Sequence, residues 1–138
     1  MINQKDGSII HIDFGFILAS RLVNFETAPF KLTGDVIRLL GGLDGSSFKR
    51  FRDRMIEGYM AVHEDNEKLM ILVQMLAQSF PEMPCFKRGT TEAILELKQR
   101  LTPLGPGVKL NKAACAYEVD KIISDAYKSW STVVYDHF

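Results

Sequence analysis

Residues 9–16 read Ile9-Ile10-His11-Ile12-Asp13-Phe14-Gly15-Phe16, one carboxylate at the end of an apolar run, followed at once by an aromatic and a glycine. A lone aspartate in such a position suits a hard divalent cation. Mg²⁺ takes oxygen ligands and is commonly held by one or two carboxylates together with phosphate oxygens. Gly15 allows a sharp backbone turn just after the ligand, where a side chain would obstruct the change in φ/ψ. His11 reads as a buried structural imidazole with its hydrogen bonds met. Ile12 stands either in plain core or in the lining of a nucleotide pocket. The two cysteines, Cys85 and Cys115, form no Cys-x-x-Cys pair and suggest neither a metal site nor a disulfide framework, so reduced thiols are the simpler reading.

What positions Asp13 is the segment on either side of it. Residues 1–3 and 8–12 read as two short strands joined by Gln4-Lys5-Asp6-Gly7. Asp-Gly is a strong hairpin turn signal, because Gly supplies positive φ and Asp tolerates it. The hairpin delivers Asp13 at the end of a strand, a rigid place for a metal ligand. Residues 16–28 are apolar without a sustained period and read as a loop. Pro29 forces Ala28 out of helical geometry. Thr33 caps a helix over residues 34–40, and Gly41-Gly42 closes it.

Beyond the loop the pattern is helical. Asp44-Gly45-Ser46-Ser47 opens a second helix, whose Phe48, Phe51, Met55, Tyr59 and Val62 form an apolar stripe, with Lys49, Arg50, Arg52 and Arg54 off it; that basic cluster could touch anionic lipid, but with Asp53 and Glu57 beside it a solvated helix face is the simpler reading. A third helix, roughly 64–80, is apolar on nearly every side between Leu69 and Ala77, which predicts a central strut buried all round. Pro81 and Pro84 end it, and Cys85-Phe86 lies in the connector. Thr90 or Thr91 caps a fourth helix carrying Ile94, Leu95, Leu97 and Leu101, broken by Pro103, Gly105, Pro106 and Gly107. Asn111 caps a fifth, with Ala114, Tyr117, Val119, Ile122 and Ile123 for burial. A last segment from about Ala126 places Tyr127, Trp130, Val134 and Phe138 at helical spacing. The fold class expected is mainly α, a short β-hairpin leading into a bundle of five to six helices.

Composition sets the outer limits. The 138 residues make one domain with room for a core, and 17 basic residues balance 17 acidic ones. No overall field therefore points to nucleic acid or to an anionic membrane. The longest apolar run, residues 69–73, is far too short to span a bilayer.

Four stretches together carry a resemblance. They are His11-Ile12-Asp13-Phe14-Gly15-Phe16-Ile17-Leu18, Asn24-Phe25-Glu26-Thr27-Ala28-Pro29-Phe30-Lys31-Leu32-Thr33, Gly41-Gly42-Leu43 and Pro84-Cys85-Phe86. The chain resembles the phosphatidylinositol 4-kinases, and within them the type III beta branch, strongly to about Gly45 and by helical layout thereafter. The resemblance implies a kinase-like C-terminal lobe and ATP-dependent phosphorylation of the 4-hydroxyl of phosphatidylinositol. It gives Asp13 the catalytic Mg²⁺ (or Mn²⁺) role and places Ile12 and Asp13 at the nucleotide. Residues 13–33 become the activation loop, in which Phe14, Gly15, Phe16, Arg21, Phe30 and Lys31 face the substrate. It further implies a cytoplasmic enzyme peripheral on membranes, the Golgi among them, brought there by recruitment proteins.

The family's Gly-rich phosphate loop, nucleotide Lys and catalytic loop do not occur in these residues. Residues 1–138 are therefore expected to be a partial catalytic domain, the C-terminal lobe from just before Asp-Phe-Gly, with the N-terminal lobe, catalytic loop and C-terminal end outside it. Such a fragment is expected to be inactive alone. The competing reading is a non-catalytic, degenerate kinase lobe that binds partners or membrane. Loop charge bears on substrate: between residues 16 and 28 stand one cation, Arg21, and one anion, Glu26. That balance suits an unphosphorylated inositol ring better than a phosphorylated one, whose charges need several cations.

Overall fold

Thr33 begins the ordered helices. In the computed structural model, which describes residues 3–6, 8, 18, 28–105 and 107–129, its Oγ1 accepts from the Val36 N–H at the head of α1 (Gly34–Leu39). Helix α1 stops as its glycines require. The Gly42 N–H donates to the Ile37 carbonyl at 2.9 Å and the Gly41 N–H to that of Arg38 at 3.1 Å, with Gly41 and Gly42 at φ 84° and 82°. This is the Schellman arrangement, in which left-handed residues without a Cβ satisfy the last carbonyls.

Helix α2 (Ser46–Glu64) and helix α5 (Lys112–Lys128) form the main axis. Helix α5 starts under Asn111, whose side chain accepts from the Ala114 N–H at 2.9 Å. The two run antiparallel: Arg52, early in α2, meets Asp120 in the middle of α5, whereas His63 at the end of α2 meets Leu110 just before α5. Between them lie Phe48 and Ile56 of α2 with Cys115, Val119, Ile123 and Ala126 of α5, the last four at spacings of four, four and three. Leu32 and Ile37 join this first cluster from the α1 side. Each such large side chain withdrawn from water stabilises the fold by roughly 1.5–3 kcal/mol.

A second, smaller cluster lies around Ala77 of α3 (Asn66–Ser79), Cys85 and Phe86 of a 3₁₀ turn (Pro84–Phe86) and Ala93 of α4 (Thr90–Leu101). Two side chains of α2 tie the clusters together. Tyr59 Oη donates to the Arg100 carbonyl at 3.2 Å, and His63 Nδ1 lies 3.0 Å from the Leu101 carbonyl. These are carbonyls of the last turn of α4, which the helix itself leaves without partners. His63 Nε2 accepts from the Leu110 N–H at 3.0 Å, so the ring stands as the Nδ1–H tautomer, donating on one side and accepting on the other.

Several expectations need correction. Helix α3 is not a strut buried all round: Ala77 is its one buried residue, and Leu72 is 61% exposed, with Ile71 and Met75 close to that. It lies at the edge, covered by α4 and the 3₁₀ turn, and the axis is α2 with α5. The stripe of α2 is rotated toward Ile56 and His63, leaving Val62 exposed. Tyr117 is exposed, and Cys115 takes the inward position. The N-cap of α4 is Gly89, at φ 113°, with Thr90 already helical. Residues 126–128 continue α5 with no separate helix beginning there; Trp130, Val134 and Phe138 lie outside the described residues. Among the described residues there are five α-helices and no strand. The expected β-hairpin is not seen: residues 1, 2, 7 and 9–12 lie outside the described residues, and of the rest the Asn3 N–H donates to the Ser8 carbonyl at 2.8 Å while Asp6 Oδ1 accepts from both Ser8 N–H and Oγ.

Candidate functional site

The candidate loop is held where its end enters α1. Phe30, Lys31 and Leu32 alternate in, out and in: Leu32 is 2% exposed in the first cluster, and Phe30 is half-buried against it. The Phe30 ring meets Phe51 at 6.4 Å between centroids and 56° between planes, and Phe51 meets Phe48 at 5.8 Å and 52°. Tilted aromatic pairs of this kind add to simple burial. Lys31 is turned outward between its two anchors. Upstream, Leu18 lies against the second cluster, at φ 55°, alone among the described non-glycine residues in having positive φ. The 3₁₀ turn therefore has a structural reason: its Cys85 and Phe86, both buried, help form the surface that receives Leu18.

Asp13, the proposed metal ligand, lies outside the described residues, as do His11, Ile12, Phe14, Gly15, Phe16 and Arg21. Of the loop residues expected to face the substrate, Phe30 and Lys31 are the two whose places are described. Among the described residues no group of three or more His, Cys, Asp or Glu could hold a metal ion. A single carboxylate on a short segment is the donor type Mg²⁺ takes when phosphates complete its shell, so Asp13 fits the role in chemistry.

Charge around the anchored end is mixed. Among the described residues, Lys31, Arg38, Lys49 and Arg50 stand exposed with Asp35, Asp44 and Asp53, and Arg38 is paired to Asp35 at 2.8 Å. Farther along α2, Arg52 Nε and Nη2 donate to the two Asp120 oxygens at 2.5 and 2.7 Å. That fork holds the Asp120 carboxyl below the ordinary carboxylate range and raises the Arg52 guanidinium. Arg52 thus serves the α2–α5 contact. A cleft of about 550 Å³ opens between α3 and α4, lined by Met70, Ile71, Ile94 and Leu95 together with Glu67 and Lys98.

Sequence reasoning missed His63, though its spacing of seven from Ile56 and four from Tyr59 puts it on the inward stripe. It missed the Arg52–Asp120 fork as well, which no local pattern announces.

The anchored end of the loop, the Gly-Gly stop and the Pro-Cys-Phe turn, whose Cys85 and Phe86 are buried, all fall within the span of one family match. Residues 1–86 match the model of phosphatidylinositol 3- and 4-kinases, and the chain belongs to that family. It is 36% identical over 137 residues to phosphatidylinositol 4-kinase beta of Danio rerio, an alignment covering 98% of this chain and 15% of the relative. The proteins of the same name from Sorex araneus and Homo sapiens are each 34% identical over 137 residues, covering 98% of this chain and 16% of theirs. The chain thus spans about one-sixth of the length of the curated relatives it matches. No solved structure matches it.

Proposed function

We propose that this chain is the C-terminal-lobe part of a lipid kinase that transfers the ATP γ-phosphate to the 4-hydroxyl of phosphatidylinositol. The observation that carries this reading is the similarity to phosphatidylinositol 4-kinase beta along 98% of the chain. Asp13 would hold Mg²⁺ against the nucleotide phosphates, and Ile12 would lie beside the adenine. When bound, the metal supplies charge neutralisation on the phosphoryl group being transferred. Residues 13–33 present the headgroup, and the anchoring of Phe30 and Leu32 supports that role by fixing where the loop returns to the helices. Arg21 or Lys31 meets the single phosphodiester of the lipid. Site of action follows substrate: the enzyme works in the cytoplasm at a membrane surface, the Golgi among the candidates, with recruitment proteins as partners.

Substrate choice tests the reading. The enzyme containing this chain is offered phosphatidylinositol, its monophosphate and its bisphosphate in matched vesicles, and the product is analysed for phosphate position. A strong kcat/KM preference for the unphosphorylated lipid, with product at the 4-position, is expected. Equal use of the bisphosphate would show that loop charge does not set specificity, and a product at another hydroxyl would overturn the assignment.

A further inference from the structure

Leu18 occupies a backbone conformation that suits it badly. Its φ of 55° is left-handed, a region that bulky side chains seldom enter, and no other non-glycine among the described residues enters it. Glycine would take this φ without strain, but it would have nothing to place against a neighbour. A leucine there means that the contact, and not the turn, is what the position serves. Strained residues of this kind persist where the surroundings over-determine them. The surroundings here are the second cluster: Leu18 is half-buried against the group of Ala77, Cys85, Phe86 and Ala93.

The chain on the two sides of residues 19–29 therefore rests in different clusters. Phe30 and Leu32 hold one side in the first cluster, with side chains of α2 and α5. Leu18 holds the other in the second, with side chains of α3, the 3₁₀ turn and α4. The clusters keep their mutual position through Tyr59 and His63, which bind the Arg100 and Leu101 carbonyls at the end of α4. A connection held at one end can follow many paths. Holding the second end removes much of that freedom before any substrate arrives. For a transfer reaction this matters, because misplacing a reacting group by about 1 Å can cost on the order of a hundredfold in rate.

We infer that Leu18 is a positioning residue of the substrate loop and that the Pro-Cys-Phe turn is part of its seat. The turn thereby takes a role in catalysis without touching substrate. The inference rests on the lipid-kinase reading for the reaction it serves; the seating of Leu18 stands on packing alone.

The seating is tested in the 138-residue chain and its consequence in the proposed longer enzyme. Arg21 is the one tryptic site between residues 16 and 28, so cleavage after it reports how freely the chain just past Leu18 enters a protease. Leu18→Ala should speed that cleavage about tenfold, and Leu18→Met, which refills the seat, should stay within about twofold of the parent. Val73→Ala trims another half-buried side chain of the same cluster, outside the loop, and controls for lost stability. With rates compared equally far below each variant's Tm, it too should stay within about twofold of the parent. In the longer enzyme Leu18→Ala should lower kcat/KM for phosphatidylinositol about tenfold with KM for ATP unchanged, and Leu18→Met should recover most of the loss. Val73→Ala should keep the parent value. Equal effects of Leu18→Ala and Val73→Ala on either readout, or a rise in KM for ATP matching that for the lipid, would overturn the inference. Failure of the lipid-kinase reading shows separately, as absence of 4-phosphorylated product from the unmutated enzyme, while the cleavage rates still decide the seating.

Discussion

Asp13 and His63 illustrate two ways in which one side chain can matter. Asp13→Asn in the proposed longer enzyme nearly preserves side-chain shape and removes the anionic oxygen proposed to hold the metal. Turnover should fall by about 100-fold or more, the order seen when other groups that stabilise transition-state charge are lost. Near-normal turnover would show that Asp13 is not the ligand. His63 should act on stability. Its ring is 6% exposed and serves the Leu101 carbonyl and the Leu110 N–H at once. His63→Ala leaves both groups without that partner, and a buried unsatisfied group costs about 1–3 kcal/mol. A loss of roughly 2–3 kcal/mol is expected from denaturant unfolding. Tyr59→Phe, which removes one longer bond to the neighbouring carbonyl, should cost about 1 kcal/mol or less.

At the level of elements, glycine shows how far position outweighs residue type. Gly45 is the N-cap of α2, and a Cβ there would lie 2.5 Å from the Leu40 carbonyl and 2.7 Å from that of Gly41. Gly58, inside the same helix, is exposed and has nothing within 4 Å of where a Cβ would stand. Gly45→Ala should therefore destabilise by roughly 1–3 kcal/mol, as other forced overpacking does. Gly58→Ala should stabilise by about 0.5–1 kcal/mol through helix propensity. Thermal unfolding of the two variants beside the parent chain should show shifts of opposite sign. The boundaries of α1 and the start of α5 were legible in the sequence because caps are local: Thr33, Gly41-Gly42 and Asn111 act within a few residues of themselves. The role of α3 was not. An all-round apolar sequence says that a helix could be covered on every side and cannot say which neighbours arrive. The same limit hid the inward turn of Cys115 in place of Tyr117, a choice made by α2 across the interface. In the loop, the Asp-Phe-Gly triplet lies outside the described residues, and nothing local to Leu32 announces that it anchors the loop's end. Its burial depends on residues far along the chain.

For the whole molecule, the consequence of family membership is a division of labour. Phosphoryl transfer depends on positioning and on electrostatics contributed by several segments together. On the proposed reading these 138 residues contain the Asp-Phe-Gly triplet, and the phosphate loop, nucleotide Lys and catalytic loop lie outside them. The isolated chain should show no measurable ATP-dependent lipid phosphorylation and should bind Mg-ATP poorly; robust turnover by the purified chain would sink the partial-domain reading. The two clusters also hold one cysteine each. Cys115, with 0% of its surface exposed and its thiol pushed up by burial beside Glu64, sits in the first; Cys85, 4% exposed, sits in the second. Neither can meet a thiol reagent until its own surroundings part. The protein therefore carries two internal clocks. Under native conditions, the rate at which each thiol is modified, followed by peptide mass spectrometry, reads the opening of one half independently of the other. With the larger cluster around Cys115, modification of Cys85 should run ahead. Equal rates would mean that the halves open as one, bound through Tyr59 and His63.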